Sequence, residues 1–192
     1  SGVTVFAADA GTDEIVEMAD ASDVDGTTIT FWHSMGGVNG EAMDYLVNKF
    51  NEENTDGITV EAVYQGEYDD TINKLKSAQI GNMGADLVQI YDIGTRFMID
   101  SGWVIPMQEL INADGYDISQ IEPNIAAYYT VNNELYSMPF NSSTPILYYN
   151  KDMFEKAGIT EVPTSLEGIL AIGDDLKTKG GAGEPLALSI YG

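Results

Sequence analysis

The stretch FNSSTPILYYNKDMFEKAG, Phe140 to Gly158, sets three hydroxyl residues side by side, Ser142, Ser143 and Thr144, just ahead of an apolar run, Ile146 to Tyr149. The run predicts a strand over Ile146–Asn150. Lys151 to Ala157 then reads as a short helix stopped by Gly158. Neutral hydroxyls beside a strand suit reversible capture of a polar small molecule. By themselves they do not suit bond breaking.

Upstream, Thr28 to Trp32 mixes β-branched and aromatic residues and reads as a strand. A glycine-rich loop, Gly36-Gly37-Val38-Asn39-Gly40, leads to a helix in which Met43, Leu46, Val47 and Phe50 fall on one face. Ile58 to Tyr64 alternates as a second strand, Asp69 to about Gln79 forms a helix with Ile72 and Leu75 inward, and Asp86 to Tyr91 is a third strand. Gly94 to Ser101 is a short helix ended by Gly102. This order predicts an α/β fold with a parallel sheet covered by helices. In such sheets ligands sit at the carboxyl ends of the strands, here His33-Ser34, Tyr64-Gln65-Gly66 and Tyr91-Asp92. Asn132-Asn133 predicts a hairpin turn ended by Pro139. Downstream, Thr164 and Glu167 carry a capping-box signature for a helix to about Lys179, and Leu186–Ile190 reads as a strand.

Composition narrows the function. The 192 residues carry 31 acidic and 8 basic side chains, a net charge of −23. Arg96 is the only arginine, so nucleic acid, whose phosphates need basic partners, is excluded as a partner. The charge serves solubility. The absence of cysteine removes disulfides, thiolate metal sites and cysteine nucleophiles. No apolar run approaches the roughly 18 residues of a membrane span. Ala8-Asp9-Ala10 fits a small-x-small cleavage pattern, so Ser1 to about Ala10 is expected to be the tail of a secretory signal. The acidic segment to Gly26 is then a solvated tether, giving residues 1–26 as leader remnant and tether, 27–139 as a first α/β lobe and 140–192 as a crossing into a second.

Motifs for catalysis and metals fail on their spacing. The loop GGVNG has neither the Walker A lysine nor the G-x-G-x-x-G spacing. Reading Asn112-Ala113-Asp114-Gly115 as a calcium loop puts Leu110 and Ile121 where oxygen ligands are required. His33, the only histidine, could join Ser142 or Ser143 in a triad, but no G-x-S-x-G elbow is present. Asp69-Asp70 favours a helix dipole over acid–base work, and Asn141-Ser142-Ser143 is formally a glycosylation sequon. No metal, cofactor or enzymatic activity is expected. Tyr68, Asp92 and Ser143 are the candidate binders: an aromatic face with a hydroxyl, an acceptor for ligand hydroxyls, and a neutral donor to an oxyanion. His33, Ser34 and Ser142 are candidates for lining the same site. Position alone also allows each of the first three an ordinary job at a helix start, a turn or a strand start.

Thr30-Phe31-Trp32-His33-Ser34-Met35, Phe50-Asn51 with Glu53-Asn54, Tyr64 and Gly66 with Tyr68, Tyr91 with Gly94-Thr95, and above all Phe140 to Gly158 resemble the extracellular solute-binding proteins, family 1, of bacterial ABC importers. The likeness spans about Thr27 to Gly192 and is strongest toward the glycerol-phosphate binders of the family. It implies a two-lobe clamshell of the type II periplasmic-binding-protein class, with this chain stopping inside the second lobe. It also implies ligand contacts at Tyr68, Asp92 and Ser143, although the family carries glutamate where this chain has Asp92. The implied protein is secreted, periplasmic or on the cell surface. It works as a monomer that captures glycerol 3-phosphate or a glycerophosphodiester and hands it to the ABC permease. A sugar binder of the same fold and a secreted hydrolase are the alternative readings.

Overall fold

The computed structural model describes residues 2–6 and 26–188. The chain divides into two compact units, residues 1–143 and 144–192. The expected boundary, after Pro139, falls a few residues earlier.

The first unit is built on one sheet. Strands β2 (Thr28–His33), β3 (Thr59–Tyr64) and β4 (Leu87–Ile90) run parallel, with β2 between the other two. The order across the sheet is β3-β2-β4-β1-β5, where β1 is Gly2–Phe6 and β5 is Val104–Ile105. Strand β1 is antiparallel to β4, to β5 and to a further strand, β8 (Met138–Pro139). This corrects the reading of residues 1–26 as lying outside the fold: Gly2–Phe6 pairs on both sides. Its run of Val, Thr, Val and Phe has the β-branched and aromatic composition that a two-sided strand favours. The remainder of the expected leader and tether, residues 7–25, lies outside the described residues.

Side chains alternate across this sheet with the period of two that a strand imposes. Trp32, Val88 and Ile90 face one side, where helices α2 (Tyr68–Ile80) and α3 (Thr95–Ser101) supply Ile72, Leu75 and Met98. Phe31 and Leu87 face the other, where α1 (Gly37–Glu53) supplies Met43 and Val47. Helices therefore cover both faces, as a mostly parallel sheet requires. The helix α1 uses a narrower stripe than the sequence predicts, since Leu46 and Phe50 remain exposed. Two further helices, α4 (Met107–Asp114) and α5 (Pro123–Tyr128), pack with a small hairpin around Ile111, Tyr129 and Leu135. The hairpin joins β6 (Thr130–Val131) to β7 (Glu134–Leu135). Its turn has Asn132 at φ 52° and Asn133 at φ 65°, the two positive values of a primed turn.

Residues Glu67 and Asp70 close a reciprocal capping box on α2. The preceding Gly66 has φ 102°, and a Cβ there would meet the Asp70 carboxylate at 2.6 Å. Glycine is thus required for β3 to turn into α2 at the carboxyl edge of the sheet.

In the second unit, α6 (Lys151–Ala157) is capped by the Asn150 side chain, which accepts from Met153 N–H at 3.1 Å, and ends at Gly158. The expected single helix to Lys179 is instead two, α7 (Leu166–Ala171) and α8 (Gly173–Thr178). The cap is Ser165, not Thr164, because its hydroxyl is the one placed to accept from Gly168 N–H. The strand expected over Ile146–Asn150 does not form. A strand needs partners for its rows of N–H and C=O groups, and the described part of this unit holds only helices. Ile146, Leu147 and Tyr148 are accordingly exposed. Leu186–Leu188 likewise forms no strand, and the rest of that expected element lies outside the described residues.

His33 closes β2 inside this frame. It is 3% exposed, its Nδ1 accepts from Met35 N–H at 3.2 Å, and its ring lies between those of Phe31 and Tyr64. Burial away from water holds its pKa below the usual 6.5, against an opposing pull from the Asp44 carboxylate. The folded protein therefore keeps the ring neutral, while the unfolded chain takes up a proton near pH 6.5. This group's contribution is fully present above that pH and is lost as pH falls through the lower folded value.

Two outcomes follow from this packing. Leu75 is fully buried in the face covered by α2; Leu75→Ala should cost about 2–5 kcal/mol in a urea melt, and a loss under ~1 kcal/mol would contradict its placement. The single imidazole resonance should titrate with a midpoint below 6.5 in an NMR pH series. A midpoint at or above that value would contradict the burial of His33.

Candidate functional site

The carboxyl ends of β4 and β8 are brought to one edge by β1. Gly2 pairs with Ile90 on one side and with Pro139 on the other. The residues that follow those strands, Tyr91-Asp92 and Phe140 to Ser143, therefore leave the sheet two strand spacings apart, roughly 10 Å.

A closed ring of contacts forms there. The Tyr68 and Tyr91 rings stack at 5.9 Å. The Asp92 carboxylate accepts from Tyr128 Oη at 3.0 Å through Oδ2 and from Ile93 N–H at 2.9 Å through Oδ1. The Tyr128 and Tyr129 rings meet edge to face at 5.3 Å, and Tyr129 Oη lies 3.1 Å from Ser142 Oγ. One residue back, Asn141 donates to Tyr68 Oη at 3.1 Å. The structure thus joins Tyr68, Asp92 and Ser142 in one constellation, with Ser143 next in the chain. Ser143 is exposed, and its hydroxyl makes no hydrogen bond to another described residue.

Proton placement around the ring is set by its carboxylates. Tyr91 donates to Asp69 Oδ1 at 2.7 Å, and this bond raises its pKa. Tyr128 is raised in the same way by Asp92. Both phenols stay protonated and hold the acids in place. A carboxylate has about four lone-pair sites, so Asp92 keeps acceptor capacity for ligand hydroxyls after its two internal bonds. Ser143 carries a neutral hydroxyl one residue beyond Ser142, the ring member. The only arginine, Arg96, is bound bidentate to Asp100 and takes no part.

Two of the six candidates lie elsewhere. His33 and Ser34 are inside the wall: Ser34 Oγ lies 2.6 Å from Thr71 Oγ1, and both residues are buried. They line the site only through what they hold in place. His33 is also engaged with Met35 and Ser142 with Tyr129, so no triad forms. Among the described residues no group of three or more His, Cys, Asp or Glu side chains is placed to hold a metal ion.

Gln89, Tyr128 and Tyr129 do not stand out in the sequence, and Asn141 does so only as a sequon. For Gln89 a signal exists: it is the one polar residue inside the run Leu87-Val88-Gln89-Ile90 of a strand buried on both faces. The tyrosines reach the site through the hairpin packing, which no local pattern encodes.

Known proteins resemble this chain in sequence and in fold. Residues 36–191 match the family described as bacterial extracellular solute-binding protein. The chain is 43% identical over 138 residues to the sn-glycerol-3-phosphate-binding periplasmic protein UgpB of Salmonella paratyphi A, covering 69% of this chain and 31% of the relative. It therefore spans about a third of the length of the curated relatives it matches. Among solved structures, UgpB from Mycobacterium tuberculosis in complex with glycerophosphocholine superposes with a TM-score of 0.64 at 28% identity, over 78% of this chain and 39% of that one. The cyclic alpha-maltosyl-1,6-maltose binding protein from Arthrobacter globiformis superposes at 0.62 with 20% identity, over 81% and 39%, a likeness of fold alone. The α/β fold is that of the type II periplasmic binding proteins. The chain belongs to the bacterial extracellular solute-binding protein family.

Proposed function

We propose that this chain carries one wall of the ligand site of an ABC-importer solute-binding protein for glycerol 3-phosphate or a glycerophosphodiester. The observation that carries the reading is the ring that sets the acceptor Asp92 and the hydroxyls of Tyr68 and Ser142 at one sheet edge, with Ser143 next in the chain. A polyol phosphate has the matching halves: hydroxyls to donate to a carboxylate, and phosphate oxygens to accept from hydroxyls. The names of the relatives, binders of glycerol 3-phosphate and glycerophosphocholine, support the same ligand class.

The mechanism is capture and delivery, not turnover. Binding closes a second wall over this one, and the filled protein docks on the membrane permease. Long-range repulsion between a chain of net charge −23 and an anion is screened over ~8 Å at physiological salt. Recognition therefore falls to local donors, which gain strength when the acceptor is charged. The family's glutamate is replaced by Asp92, and the Tyr128 bond fixes the shorter acid in place at the edge of the sheet. The protein acts outside the cytoplasm, as a monomer, without cofactor.

Calorimetric titration of the protein as its gene encodes it should give heat with glycerol 3-phosphate or glycerophosphocholine and none with maltose. Heat with maltose alone would assign the site to sugars instead. Release of choline or glycerol during the titration would reopen the hydrolase reading. Ser143→Ala should weaken the phosphate ligand by ~1–3 kcal/mol, the range for a hydrogen bond to a charged group. An unchanged affinity would remove Ser143 from the site.

A further inference from the structure

Gln89 sits on the central strand β4 and is fully buried, an uncommon place for a primary amide unless its hydrogen bonds are met. They are met in a definite order. The backbone N–H of Ser34 donates to Gln89 Oε1 at 2.9 Å. Gln89 Nε2 donates to Asn141 Oδ1 at 2.9 Å. Asn141 Nδ2 donates to Tyr68 Oη at 3.1 Å and to Met35 Sδ at 3.6 Å.

Chemistry allows this chain only one polarity. A backbone N–H can only donate, so the Gln89 atom facing Ser34 is the oxygen. An amide has one oxygen and one NH2 group. The Gln89 nitrogen therefore faces Asn141, which must answer with its own oxygen and turn its nitrogen to Tyr68. The phenol oxygen accepts in that bond. Its single O–H hydrogen has no acceptor among the described residues and is left for a ligand. The neighbouring phenols differ, because Tyr91 and Tyr128 commit their protons to Asp69 and Asp92.

We infer that Gln89 and Asn141 form a polarity relay that fixes Tyr68 as a hydrogen-bond donor toward the ligand, so that this corner of the site selects an acceptor oxygen, a phosphate oxygen above all. The relay rests on the binding site proposed above. Gln89 and Asn141 are positioning residues: they act through Tyr68.

A double-mutant cycle tests it, with glycerol 3-phosphate as the probe and calorimetry on the protein as its gene encodes it. Tyr68→Phe and Gln89→Met should each weaken binding about tenfold, a little over 1 kcal/mol. The double variant should be no weaker than Tyr68→Phe alone, because without the phenol the relay has nothing to orient. Additive losses would overturn the relay and make Gln89 a structural residue. So would a folded Gln89→Met that binds as the wild type does while Tyr68→Phe is weakened. An unaffected Tyr68→Phe would instead remove Tyr68 from the site and sink the ligand reading itself. If Gln89→Met does not fold, Asn141→Asp serves in its place. Its two oxygens keep the Gln89 bond but draw the Tyr68 proton inward. Its added charge acts in both backgrounds and cancels in the cycle. Asn141→Asp should then cost less on Tyr68→Phe than on the wild type, and an equal cost in both would overturn the relay.

Discussion

A single backbone N–H, that of Ser34, bonded to the buried oxygen of Gln89, is the constraint on which the proposed site depends. It satisfies a polar group in the middle of an apolar sheet, where an unmet one would cost about 1–3 kcal/mol. The same bond ties the turn after β2 to the neighbouring strand β4. It also orients the Gln89 nitrogen toward Asn141, the residue that leads from the last strand of the first unit into the serine pair. Fold and proposed site therefore share one hydrogen-bonded thread: what holds the strand ends together would also decide which atoms face a ligand.

The surrounding packing keeps that thread rigid. Tyr68 is held on one side by its stack with Tyr91 and from below by the cluster of Phe31, Met35 and Met43. Asp92 is held by Tyr128, whose neighbour Tyr129 is buried with Ile111 and Leu135. Two core clusters thus each support one polar group of the ring, Tyr68 directly and Asp92 through Tyr128 and its neighbour Tyr129. A site built on such supports would meet a ligand with little reordering, which is where weak neutral donors gain most.

Much of the first unit was legible because its elements are long enough to show a period. β2, β3 and β4 and helices α1 and α2 carry clear alternation or helical spacing, and glycines mark several of their ends. The misreadings have a common physical origin, pairing that local sequence does not encode. Gly2–Phe6 is a strand because neighbours on both sides accept it, and Ile146–Asn150 is not because no described strand does. The short helices α4 and α5 hold too few residues to display a period. Tyr68, Asp92 and Ser143 are candidates from their residue types after a strand or at the crossing, and the resemblance adds weight to them. Gln89 and the tyrosine pair needed three dimensions, since their partners lie far away in sequence.

The most direct measurement is a crystal structure of the protein, as its gene encodes it, with glycerol 3-phosphate bound. The account predicts a ligand hydroxyl within about 3 Å of the Asp92 carboxylate and phosphate oxygens at the same range from Tyr68 Oη and Ser143 Oγ. A phosphate bound away from this sheet edge, or a Tyr68 hydroxyl that accepts from the ligand, would contradict it.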